Sequence, residues 1–438
     1  MNPLRTAPRW ITDSRRSVGL AAISAGARVP GLVIPLAMAA FFGAGPSTDA
    51  YFVAYSAALL IGGTLGQAIE VAIVPFVARE TVRDGGSPRQ FLKIVSGHAA
   101  LIGGALWCVI TVPVALVRAS THGSAVLPYA ICFTLLVTLW GAASVYSGAL
   151  ISQWKIGRAT ASNLWRGAGA LLGMAAALAG ADLWTVAVGL GLGELCRFLY
   201  VRHHALKQIP PGLGKDPGPV RACERAVAAQ AVGGAAGGAA PLVERLLAVS
   251  LGAGGVSHLE YAARLLAVPA VLFDGAIAPL LLARWSQEIA AHGHEPPRAE
   301  VLRIVAKGLA LALACALALV AAAPLVVHLL LAHGRFTSTS EVAVASLLQL
   351  LSVGFVATMG ALMLERFYLA STRNRTLAVL SFCRAAIRVL SVWLLLPSSG
   401  LTAFAIGYAL ADWSYLVILV ALLRPASAAA GVVSARTP

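Results

Sequence analysis

"FFGAGPSTDAYFVAY", residues Phe41–Tyr55, joins two apolar stretches through a six-residue cluster of small and turn-forming residues, GAGPST. The stretch before it is apolar back to about residue 18, and the one after it runs on to about residue 78. Each is long enough to cross a bilayer core of about 30 Å, which takes roughly 20 helical residues. The junction therefore reads as a tight connection between two spanning helices. Asp49 opens the second of them, an acid at the edge of a hydrocarbon layer.

Composition extends this reading to the whole chain. Hydrophobic residues make up 59% and charged residues 12%, and mean hydropathy is +0.81. A water-soluble domain carries roughly twice that charged fraction. Most of the long apolar runs lack a polar face, so a merely hydrophobic soluble core does not account for them. The fold class expected is an all-α polytopic membrane protein. The six cysteines are scattered without a CxxC pair and read as small packing residues rather than a disulfide frame or metal site. The basic N-terminus precedes an apolar run that continues to about Phe42, too long for a signal peptide and better taken as a first span.

The segmentation gives twelve spans, roughly 18–42, 50–78, 92–117, 126–150, 160–180, 183–204, 225–251, 257–283, 301–332, 341–370, 376–396 and 401–423. The net charge of +15 would suggest nucleic acid in a soluble protein. Here it follows the connections instead. One alternating set holds the N-terminus, Arg79/Arg83/Arg89, Lys155/Arg158, Arg202/Lys207/Lys215/Arg221, Arg284/Arg298, Arg373/Arg375 and the C-terminal tail, while the other holds only Arg118 and Arg335. Lys and Arg accumulate on the cytoplasmic side, so both termini are expected there and Asp49 at the outer mouth of span two.

"KQIPPGLGKDPGPVR" (207–221) is rich in Pro and Gly and reads as a linker between halves. "FGAGPSTDAYFVAY" (42–55) resembles "LGAGGVSHLEYAAR" (251–264), and "PFVAR" (75–79) resembles "PLLLAR" (279–284). "KIGRATASNLWR" (155–166) matches "TRNRTLAVLSFCR" (372–384). Three matches in one order, at offsets of about 204 to 218, indicate a parallel duplication. The expected organisation is an N-lobe at 1–205, a linker at 206–223, a C-lobe at 224–424 and a cytoplasmic tail at 425–438. Transporters built from parallel repeats place their substrate near mid-membrane, at the repeat interface.

Ionisable groups inside spans are costly and face a partner or a water-filled cavity. Arg28 lies ten residues into span one, about 15 Å deep at a helical rise of about 1.5 Å per residue. Glu260 and Arg264 are spaced i,i+4, the favourable order for a helical ion pair, and Arg384 and Arg388 share a face in the same way. Glu70, Glu194, Glu244, Arg245, Asp274, Glu365, Arg366 and Asp412 complete the set. Arg197, Arg245 and Arg366 sit near helix ends, where snorkelling to the interface explains them, and Glu194 with Arg197 reads as an i,i+3 pair. Arg28 and Arg264 have no such explanation. They are candidates to converge on an anionic group, which the planar guanidinium binds bidentately. Glu70, Asp274, Arg384 and Arg388 are secondary cavity candidates.

Pro30 and Pro35 predict a kinked first span. "AVGGAAGGAA" in span seven predicts close helix packing. "GLGLGE" (189–194) follows no strand and is not a nucleotide loop. His292 and His294 lack a third ligand, and no nucleophile–base pair or Walker-type loop is visible. An enzyme or ATP-driven pump is therefore not expected, nor any cofactor. Energy would come from the membrane potential or a monovalent-cation gradient.

"ARVPGLVIPLAMAAFFGAGPSTDAYFVAY…VPFVARE" resembles the first two helices of the MurJ/MviN lipid II flippases, within the multidrug/oligosaccharidyl-lipid/polysaccharide exporter superfamily. "EYAARLLAVP" (260–269), "GRFTSTS" (334–340) and "FYLASTRNRT" (367–376) are similar to later segments of that family, so the resemblance spans almost the whole chain. It implies two six-helix lobes around a cationic cavity, and a flippase that moves an undecaprenyl-pyrophosphate-linked peptidoglycan precursor by alternating access. By position it implies pyrophosphate binding for Arg28 and Arg264, and an outer gate at Asp49, with Glu260 pairing beside Arg264. Ile34 and Pro35 replace a second arginine and an acid of the family pattern, the family's basic pair in span two falls near Gly62 and Gly63, and two further family helices would lie past residue 438.

The function expected is thus transport of lipid II or a related lipid-linked anionic glycan across the plasma membrane. The alternatives are export of another amphiphile, such as an exopolysaccharide intermediate or secondary metabolite, and a non-transporting scaffold for envelope assembly. Expected partners are the lipid-linked substrate, membrane lipids and envelope-synthesis enzymes, but no nucleic acid.

Overall fold

Gly43 turns the chain between the first two helices. Its φ of 70° lies in the left-handed region, which glycine enters without steric cost. Its N–H donates to the carbonyls of Met38 and Ala39 at 3.1 and 3.0 Å, closing the helix behind it. Two residues on, Gly45 caps the next helix. Thr48 Oγ1 accepts from the Gly45 N–H and donates to the Gly45 carbonyl, both at 2.9 Å. Pro46 takes the first helical position, where a missing N–H leaves nothing unsatisfied. The junction read from the sequence is a helical hairpin.

The structure is a computed structural model and describes residues 26, 29–31, 33–82, 86–122, 126–153, 155–209, 211, 219–273, 277–278, 281–282, 284–285, 288–289, 294–371 and 373–423. Among them there is no strand. The helices are α1 (33–42), α2 (Pro46–Ala58), a π-helical turn (Leu59–Gly63), α3 (Thr64–Val82), α4 (Pro88–His122), α5 (Val126–Ser152), α6 (Ile156–Leu178), α7 (Trp184–Gln208), α8 (Val220–Ala248), α9 (Gly255–Leu272), α10 (Arg298–Leu331), α11 (Ser338–Ala370), α12 (Asn374–Ser399) and α13 (Thr402–Ala421).

Eight segments among the described residues are long and apolar enough to cross a membrane. They are Pro46–Val74, Pro88–Val109, Val126–Ser152, Trp184–Gln208, Arg298–Leu331, Ser338–Ala370, Arg375–Ser399 and Thr402–Ala421. These coincide with expected spans two, three, four, six and nine to twelve. α6, α8, α9 and the 33–42 helix lie at the other four. The fold is that of an all-helical, polytopic membrane protein.

The chain divides into two compact units, Met1–Leu246 and Leu247–Pro438. In the first, α5 is the central helix, packed against α2, α3, α4 and α7, with α6 lying along α7. Ile73, Phe91, Tyr146 and Val201 are among its buried core residues. In the second, α11 is central, packed against α9, α10 and α13, with α12 lying along α13. Trp285, Leu364, Phe367 and Tyr415 belong to its core. The packing schemes correspond helix for helix, as a parallel repeat requires. The left-handed Gly252, φ 88°, stands where Gly43 stands in the first copy. The division by packing falls inside α8; of the expected 206–223 linker, residues 210 and 212–218 lie outside the described residues, and the ends of α7 and α8 occupy most of the rest.

Glycines let α6 and α7 touch backbone to backbone. A Cβ on Gly169 would strike the Gly189 carbonyl, one on Gly189 the Gly169 carbonyl, and one on Gly173 the Thr185 carbonyl. Thr185 Oγ1 uses that approach to donate to the Gly173 carbonyl at 2.9 Å. "GLGLGE" is thus a small-residue packing face of the kind that drives helix association in lipid. In α8, Gly234 and Gly238 present their bare Cα atoms to Thr64, at 3.3 and 2.8 Å from where a Cβ would stand.

Gly169→Leu is expected to destabilise the protein by at least about 1–3 kcal/mol, the usual cost of overpacking. Thermal unfolding in detergent micelles measures this, with Gly97→Ala, where an added Cβ meets nothing within 4 Å, as the unaffected control.

Candidate functional site

One cluster of buried charge in the first unit lies between α6 and α7. Glu194 is completely buried and each of its oxygens takes one arginine: Oε2 accepts from Arg166 Nε at 2.6 Å, and Oε1 from Arg197 Nη1 at 2.8 Å. Arg197 Nε also donates to Ser162 Oγ at 3.3 Å. Arg166 lies over the indole of Trp140, 3.6 Å from the ring centroid, a cation–π contact made stronger by burial. The i,i+3 partnership of Glu194 and Arg197 is as the spacing implies. The second arginine was missed, because Arg166 sits 28 residues away on another helix.

The second unit repeats the arrangement. Arg384 on α12 forms a close ion pair through Nη2 with Asp412 Oδ1 on α13, again 28 residues apart. Adding 218 to Arg166 and Glu194 gives Arg384 and Asp412, the offset already found between "KIGRATASNLWR" and its match. That arithmetic was the available signal for the pair. Arg384 Nη1 also lies 3.8 Å from Glu365 Oε1 on α11. Arg388 stacks over Tyr408 at 4.9 Å, and the Tyr408 hydroxyl meets Thr358 Oγ1 at 2.5 Å. Arg384 is therefore engaged inside its own unit. On α9, Arg264 Nε donates to Glu260 Oε1 at 2.7 Å; the glutamate is 2% exposed and the arginine side chain 28%. Among the described residues no three His, Cys, Asp or Glu side chains come together as metal ligands, and the six cysteines are unpaired.

The family model described as lipid II flippase MurJ matches residues 38–435. The chain belongs to the lipid II flippase MurJ family. Its members are transporters, not enzymes. A structure of lipid II flippase MurJ in an inward closed conformation superposes with a TM-score of 0.76 at 17% identity, covering 92% of this chain and 86% of that one. An inward-facing MATE-family multidrug resistance transporter of the MOP superfamily gives 0.70 at 14% identity, over 92% of each chain. A MOP superfamily transporter from Pyrococcus furiosus gives 0.61 at 15% identity, over 92% and 93%. At such identities these are likenesses of fold. None of the curated proteins matches in sequence.

With MurJ membership established, the positions singled out by sequence can be located. Arg28 and Asp274 lie outside the described residues. Asp49 is 4% exposed in the first turn of α2, so it does not stand open to water as an outer-mouth acid without a facing arginine would. Its backbone N–H donates to Gly45 at 2.9 Å, making it part of the hairpin itself. Ile34 is buried at 7%. Glu70 accepts from Ser147 Oγ at 3.1 Å, between α3 and α5. Gly62 lies in the π-helical turn, where a Cβ would come within 2.7 Å of Trp140. A Cβ on Gly66, one turn further, would come within 2.6 Å of the same indole. The face where the family pattern carries basic residues is thus a glycine surface beneath Trp140, the ring that also holds Arg166.

Arg384→Met, which strands Asp412 without its closest cation, is expected to cost about 3–5 kcal/mol of stability. The double variant Arg384→Met/Asp412→Leu should recover most of it. Thermal melts of the purified variants provide the comparison.

Proposed function

We propose that this chain moves a polyprenyl-pyrophosphate-linked envelope precursor, lipid II or a related lipid-linked glycan, from the cytoplasmic to the outer leaflet. What carries the reading is the family match over residues 38–435 in a multi-pass plasma-membrane protein. Two helical units of matching topology suit alternating access, in which one half rocks against the other around a central site. Arg264 and Arg28 are the residues assigned to the pyrophosphate, Asp49 with Glu260 to gating, and Asp274 and Glu70 to secondary cavity charge. Buried guanidinium groups bind phosphoryl oxygens through charge-assisted hydrogen bonds. The membrane potential or a monovalent cation supplies the energy, and envelope-synthesis enzymes supply and consume the lipid.

Export of another amphiphile is the second reading. It draws on Ile34, Gly62 and Gly63, where the family pattern has charged residues.

Cells depleted of their own lipid II flippase should grow when this chain is expressed, and growth should fail with Arg264→Ala at equal membrane abundance. Absence of rescue by the well-expressed wild type would exclude lipid II. Orientation is tested separately in a cysteine-free background. Ala181→Cys and Ser398→Cys should label from outside intact cells, and Gln208→Cys and Arg375→Cys only after permeabilisation.

A further inference from the structure

The repeated pairs differ in how many carboxylates the arginine meets. In the second unit, Arg384 faces two carboxylates, Asp412 at close range and Glu365 at 3.8 Å. In the first unit, Arg166 and Arg197 share the single carboxylate of Glu194. One positive charge is left over in a low-dielectric setting, where an uncompensated charge is expensive.

The geometry says which arginine carries the excess. Arg197 is 2% exposed, with Nη1 on Glu194 and Nε on Ser162. Arg166 keeps 19% side-chain exposure and reaches Glu194 through Nε, the side of the guanidinium nearest its own stem. Nη2 is closed off from solvent and has no hydrogen-bond partner among the described residues. Stacking on Trp140 fixes the plane of the group, and Trp140 is itself lodged against Gly62 and Gly66. A stacked arginine, anchored at Nε and with a terminal nitrogen still lacking an acceptor, has a hydrogen bond left to give to a tetrahedral oxyanion.

We propose that Arg166, laid on Trp140 and anchored by Glu194, binds a phosphoryl oxyanion in the first unit. Resting on the function proposed above, that oxyanion is the pyrophosphate of the transported lipid. The charge then comes from α6, over the very glycines that stand in span two where the family pattern has basic residues. The equivalent Arg384 is neutralised by two carboxylates and does not share the role.

The test uses the full chain in phosphatidylcholine nanodiscs, with a short-chain polyprenyl pyrophosphate and inorganic pyrophosphate as separate probes. Arg166→Gln leaves Glu194 with Arg197 as a complete pair, so the variant should fold with a melting temperature close to wild type. Its affinity for the lipid pyrophosphate should fall by about tenfold or more, the worth of one charge-assisted hydrogen bond, with Arg166→Lys intermediate. Trp140→Leu, which leaves every charge in place, should also weaken binding and serves if Arg166→Gln does not fold. Inorganic pyrophosphate should show the same order at lower affinity if the group is read as an anion; binding of the lipid alone still supports the proposal, with the headgroup presented by its tail. Equal affinity in wild type and Arg166→Gln, alongside a loss in Arg264→Gln, overturns this inference and leaves the proposed function standing. No binding of either probe by the wild type overturns both.

Discussion

Charge inside hydrocarbon has to be answered by charge, and in this protein the answer is given twice in the same way. An arginine on α6 or α12 meets a carboxylate on the helix that follows, 28 residues later: Arg166 with Glu194, Arg384 with Asp412. Both acids are fully buried. Each pair fixes the rotation of two helices about their axes, because a buried partner cannot turn away without leaving an unpaired ion behind. In the first unit the glycine contacts of α6 and α7 fall on the same helix pair, so close backbone approach and ion pairing act together.

Around these pairs each unit is organised on one central helix: α5 packs against α2, α3, α4 and α7, and α11 against α9, α10 and α13. The hairpin turns depend on backbone chemistry more than on packing. Gly43 and Gly252 take left-handed conformations that a side chain would oppose, and Thr48 closes the N-terminus of α2. Asp49 belongs to this turn and is buried within it. The two units share a scaffold and differ in how their repeated arginine is paired: Arg166 shares Glu194 with Arg197, while Arg384 meets both Asp412 and Glu365. A carrier of anionic lipid needs such an asymmetry somewhere, since a fully neutralised interior would offer a pyrophosphate nothing.

Much of this was readable from the chain itself. Apolar length gave the spans, and the Lys/Arg alternation gave an ordering of the connections. The repeat was visible in short matches because turns and helix ends carry residue-specific constraints. Glu260–Arg264 and Glu194–Arg197 were readable because i,i+4 and i,i+3 neighbours share a helix face. Arg166 was not, since its partner lies on the next helix and nothing local marks it. Nor was the glycine seam of α6 and α7, because "GLGLGE" has the same appearance whether it faces lipid or another backbone. The burial of Asp49 depends on the fold around the turn, which no spacing rule supplies. The site residues Arg28 and Asp274 stand on sequence alone.

The account rests on the claim that a lipid-linked pyrophosphate crosses the membrane through this chain. A flipping assay in proteoliposomes tests it directly, with fluorescent lipid II and a polyprenyl-linked glycan of different headgroup reconstituted in parallel. One or both should reach the opposite leaflet faster than in protein-free liposomes, and Arg264→Ala should slow them. Rates equal to those of protein-free liposomes for both lipids, with the chain folded and inserted, would contradict it.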